Sequence, residues 1–94
     1  MEPWMERVVD LFLAGRLPKM NHARHVAVAR ILKQVPHGRE LMHLGLQVTA
    51  TRSGVPEKYD AAVTDRCWEQ IGAELPEASA FTDVQEQANR VAAC

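Results

Sequence analysis

The sequence predicts an all-α protein: a compact bundle of four main helices with a short C-terminal fifth helix, in one domain spanning 1–94. Three observations predict it. Apolar residues recur every three or four positions in each substantial segment, and no run alternates with the period of two that a half-buried strand needs. Glycine and proline fall almost solely between those segments, where they punctuate rather than interrupt. Finally, 47% hydrophobic and 24% charged residues suit a soluble globular chain with a single modest core.

The first helix is expected near Pro3, because proline suits a first helical turn whose N–H groups have no intrahelical acceptor. Trp4, Val8, Leu11 and Phe12 give it one apolar face, and Gly15 followed by Pro18 ends it. The second helix starts at Asn21, a favoured N-cap, carries His22 and His25 in its first turns, and stops before Pro36. A turn at Pro36, His37 and Gly38 leads to a third helix over about 39–53, with an apolar face of Leu41, Met42, Leu44 and Val48 and a stop at Gly54 and Pro56. A fourth helix is expected over about 59–75, between Pro56 and Pro76. The tail, 79–93, reads as a weaker helix: Thr82 and Gln85 can form a capping box, but Val84, Ala88 and Val91 offer little area to bury.

Composition narrows the function classes. A net charge of −1 provides no field for nucleic acid or an anionic membrane. No apolar run approaches the ~20 residues of a membrane span. The first residues, Met1 to Glu6, are acidic where a signal peptide is basic, so the expected location is cytoplasmic. Cys67 and Cys94 lie far apart and in no CxxC spacing, which supports neither a disulfide framework nor a zinc ribbon. Helix faces this broad leave apolar surface for a homodimer.

Placing residues at ~100° each around a helix axis shows where the chemistry gathers. On the second helix Val28, Ile31, Leu32 and Val35 define the buried side; His25 lies inside its margin and His22 on its boundary. Both feel the positive helix end, which favours neutral imidazole, the form that accepts a proton or ligates a metal. On the fourth helix the apolar side is Val63, Cys67, Ile71 and Leu75, with Asp60 in its middle and Thr64 one turn on. A core-facing carboxylate needs a partner. The plain partner is its own helix N-terminus, with Asp60 as a cap. The sharper one is the His22/His25 pair across the bundle, which with Asp60 makes a His/His/Asp set fit for a divalent metal ion or for acid–base catalysis. Tyr59, Thr64 and Arg24 then serve as substrate-binding groups.

The run Asn21-His22-x-x-His25-Val26-Ala27-Val28-Ala29, with Lys58-Tyr59-Asp60-Ala61-Ala62-Val63-Thr64 some thirty residues later, resembles a family of small uncharacterised bacterial helical proteins. That family carries an HxxHxxxA motif and a later KYHxTxT motif, often followed by a tryptophan, here Trp68. The resemblance covers residues 19–68 and implies a shared polar pocket with no assigned reaction. Asp60 stands where the family has histidine, and Ala62 replaces the first threonine. A His/His/Asp site is therefore the most that carries over.

Other signals have plainer readings. Glu40 and His43 form an ExxH, but a di-iron bundle needs a second ExxH and two further glutamates. With Arg39 and Gln47, they read as a solvated face. His37 reads as an exposed turn residue and Cys67 as inert core packing. Two functions follow as expectations: a polar pocket between the second and fourth helices that binds or transforms a small molecule, or a non-catalytic interaction module whose polar residues are caps.

Overall fold

The computed structural model describes residues 2–17, 21–74, 82, 84–86 and 88–90. It is all-α: α1 spans Pro3–Leu13, α2 His22–Leu32, α3 Gly38–Arg52 and α4 Ala61–Gln70, with a 3-10 turn at Pro56–Lys58. The described residues of the tail (82, 84–86 and 88–90) are helical too, and no strand occurs among the described residues.

Local chemistry accounts for the helix ends. Gly15 takes φ +67°, its N–H bonds Phe12 O at 3.0 Å and Arg16 N–H bonds Leu11 O at 2.8 Å, which together satisfy the last carbonyls of α1. Gly54, at φ +77°, repeats the arrangement after α3, with Gly54 N–H on Thr51 O and Val55 N–H on Ala50 O. Asn21 caps α2, its side chain accepting from Arg24 N–H at 2.9 Å. Exposed His37 precedes α3 in the left-handed region at φ +60°.

The fourth helix is shorter than its apolar pattern suggests. Asp60 caps it, so the chain before Ala61 is extended, and Ile71 leaves the helical region (φ −84°, ψ 123°) just before Gly72. Leu75, counted on the apolar face of that helix, lies outside the described residues, as do Pro18, Lys19, Met20, Val91 and Cys94.

Val8 and Phe12 of α1 and Val28, Ile31 and Leu32 of α2 are completely buried, joined by Leu17, Met42, Val84 and Ala88. The tail thus reaches the core despite its small side chains, and Arg7 of α1 hydrogen-bonds Asn89 beside it. The face expected on α3 needs correction: Leu44 is 48% exposed, and the packed stripe runs through Gly38, Met42 and Gly45. A Cβ at Gly45 would stand 2.1 Å from the Phe12 ring, and one at Gly38 would stand 2.0 Å from the Leu32 carbonyl oxygen. Glycine is what permits α1 and the end of α2 to close on α3. A glycine adds nothing to a hydrophobic stripe, so the pattern of apolar residues finds Met42 and Leu41 but misses the two glycines and wrongly includes Leu44.

Helices α1, α2 and α3 pack mutually, whereas α4 packs chiefly on α3. Polar groups hold α4 at its C-terminal end. Lys33 Nζ donates to the Trp68 carbonyl at 2.6 Å and lies 4.4 Å from the centre of the Trp68 ring, a cation–π contact. Gln34 Nε2 donates to Ala73 O at 2.6 Å, beyond the helix end. With these tethers, and with only Thr64 buried on α4, the middle of the helix stands off from α2.

Candidate functional site

The space left under α4 is a partly open cavity of about 600 Å³. Its α2 wall carries His22, His25, Val26 and Ala29; its α3 floor carries Met42, Leu46, Thr49 and Ala50. The segment from Ser53 to Tyr59 closes one end, and α4 contributes Asp60, Val63, Thr64, Cys67, Trp68 and Ile71. The volume is that of a small-molecule site, and the lining is mainly apolar with a few polar groups.

Five of the six residues singled out from sequence line this one cavity: His22, His25, Tyr59, Asp60 and Thr64. Arg24 is not among the lining residues. The side of α4 read as core-facing faces the cavity instead, which explains why Val63 is 44% exposed. Cys67 is likewise an exposed free thiol lining the cavity, not a packed core residue.

The roles within the site differ from one residue to the next. Asp60 is exposed, and its Oδ1 accepts from Val63 N–H at 3.0 Å; the plain capping role is the one it performs. Among the described residues no group of three His, Cys, Asp or Glu side chains is placed to hold a metal ion, so His22, His25 and Asp60 share a cavity without forming a ligand set. His25 is half-buried, and desolvation holds its imidazole below the ordinary histidine range, with repulsion from neighbouring His22 acting in the same direction. The neutral ring has one donor and one acceptor to offer the cavity.

A second histidine matters more than its sequence context indicates. His43, expected on a solvated face, is only 20% exposed and lies 2.6 Å from the Tyr59 hydroxyl through Nδ1 and 2.7 Å from Asp65 Oδ1 through Nε2. The Asp65 carboxylate can only accept, so Nε2–H donates to it. In the neutral ring Nδ1 is then the acceptor and the Tyr59 O–H donates to it. The correction has a structural cause: α4 packs on the polar flank of α3, and its Asp65 meets His43 there. Glu40 and Gln47 on that flank do remain exposed. Nearby, Arg39 and Glu69 pair at 3.7 Å in open solvent, an interaction worth little.

His43, Asp65 and Trp68 are thus the residues of the site region that sequence reasoning missed or placed only through resemblance. The available signal was a tyrosine, a histidine and an aspartate on three successive elements, but nothing in the periodicity says which flank of α3 the next helix covers. No protein-family model matches the chain, and no curated protein or solved structure matches it either. The resemblance drawn from His22-x-x-His25 and residues 58–64 has no family match behind it.

Proposed function

We propose that this protein binds, and through that site transforms, a small and largely apolar molecule held between α2, α3 and α4. One observation carries the reading: a cavity of about 600 Å³ has an apolar lining into which His25, Tyr59 and Thr64 converge from three different segments. Apolar walls supply affinity, and a small number of placed polar groups supply orientation. His25 fits the second role, since burial keeps it neutral and able both to donate and to accept. Amide-resolved NMR titration with indole, phenol and cyclohexanol tests it. Shifts centred on His25, Thr64 and Trp68 are expected. No shifts, or shifts confined to outer residues such as Leu44, would overturn it.

A second reading, a non-catalytic module that binds a partner protein, has its own support in the capping role of Asp60 and the exposed apolar side chains of Leu44 and Val63. Under that reading Leu44→Lys abolishes partner capture while probe binding to the cavity is absent in the wild type.

A further inference from the structure

The hydrogen bonds around Tyr59 determine what the cavity can do. Tyr59 lines the cavity, and with a neutral His43 ring its hydroxyl proton is spent on His43 Nδ1, which leaves the oxygen only lone pairs to offer a ligand. Two other cavity hydroxyls are spent the same way: Thr49 donates to Gly45 O at 2.7 Å and Thr64 to Asp60 O at 2.8 Å. At these three points the cavity offers acceptors, so a ligand docked against them brings a donor. Of these acceptors only Tyr59 stands at the head of a chain that can carry a proton away, through His43 to the Asp65 carboxylate.

We propose that Tyr59 is the proton-accepting catalytic residue of this cavity, that His43 and Asp65 are positioning residues behind it, and that the ligand is a small, largely apolar molecule bearing a weakly acidic hydroxyl, of the phenol or enol class. The proposal rests on the cavity reading above. The ligand O–H breaks as its proton passes to Tyr59 Oη, while the Tyr59 phenolic proton passes to His43 Nδ1. One O–H is lost and re-formed at Tyr59, one N–H is gained at His43, and the products are a ligand oxyanion and an imidazolium whose Nε2–H remains on Asp65. No electrons change hands and no co-reactant is consumed. The transfer leaves the ligand as an oxyanion, a form that phenols and enols bear far more readily than aliphatic alcohols.

The test uses 4-nitrophenol, whose anion is yellow, against 4-nitroanisole, which has the same body but no O–H, both buffered below the pH at which the free phenol ionises. With the wild-type protein, 4-nitrophenol is expected to bind about tenfold more tightly than 4-nitroanisole, as one charge-assisted hydrogen bond dictates, and to develop the phenolate band on binding. Tyr59→Phe should equalise the two affinities and abolish the band. His43→Gln should retain binding but lose the band, since an amide cannot take the proton, an outcome that a merely structural crosslink would not produce. Equal wild-type affinities without a band overturn the relay and leave the cavity reading intact; no binding of either probe overturns both. A band that persists in His43→Gln overturns the relay as well. The wild-type comparison needs no variant to fold.

Discussion

Two sides of α3 handle space in opposite ways. Toward α1 and the end of α2 it is closed to the point where only glycine fits: Phe12 occupies the place of a Gly45 side chain, and the Leu32 carbonyl that of Gly38. Toward α4 and the start of α2 the same helix leaves a cavity of about 600 Å³. The histidines follow this division of labour. His43 has both ring nitrogens committed to Tyr59 and Asp65 and ties α4 to α3, whereas His25, on the opposite wall, keeps a neutral ring toward the cavity. Dense packing on one side supplies the stability that permits an unfilled volume on the other.

The largest effects should come from breaking the closed side. Gly38→Ala sets a methyl against a backbone oxygen that cannot move aside, and is expected to cost about 3 kcal/mol in urea unfolding, the upper part of the overpacking range. Gly45→Ala should cost about 2 kcal/mol, because the Phe12 ring must shift and better helix propensity returns only part of the loss. On the open side, Ala50→Leu should change stability by less than about 1 kcal/mol while blocking probe binding, because its side chain enters space that is already free. Equal costs on the two sides would break the comparison.

Next in size is the end of the open wall. Asp60→Ala removes the cap of α4 and should cost about 1 kcal/mol, whereas Asp60→Asn keeps an acceptor for Val63 N–H and should be nearly neutral. A metal-ligand role would instead make both substitutions equally damaging to ligand binding, so thermal melts and probe titrations on the pair separate the two.

The smallest effect sharpens the contrast between the histidines. Because the folded chain holds His25 below its ordinary value, the unfolded chain binds the proton first on acidification. The stability deficit is absent above about pH 6.5, grows as pH falls below it, and levels off once the folded His25 also protonates. Comparing urea midpoints at about pH 7.5 and about pH 5.5, His25→Gln should lose less stability on acidification than the wild type.

Much of the fold was legible because helix ends are local matters. Asn21 and Asp60 each carry an oxygen that reaches an amide three residues on, and Gly15 and Gly54 adopt a conformation that costs other residues a Cβ clash. The helical wheel picked out His25 inside the apolar margin of its helix, His22 on the boundary, and Asp60 and Thr64 on the apolar side of the fourth, with Tyr59 named as the neighbouring hydroxyl. Leu44, Cys67 and His43 show the limit of that reading. A wheel says which side of a helix is apolar, but what lies opposite belongs to another part of the chain.

By itself, then, the sequence determined an all-α chain, the caps and glycine stops that bound most of its helices though not the early end of α4, and the side of α2 and of α4 that looks inward. Only the tertiary structure decided that the inward side of α4 meets a cavity, that α3 packs through its glycines, and that His43, Tyr59 and Asp65 join into one hydrogen-bonded chain. The physical reason is range. Caps and turns are made by residues a few positions apart, whereas close approach and hydrogen bonding between helices depend on how whole elements dock, which no single segment encodes.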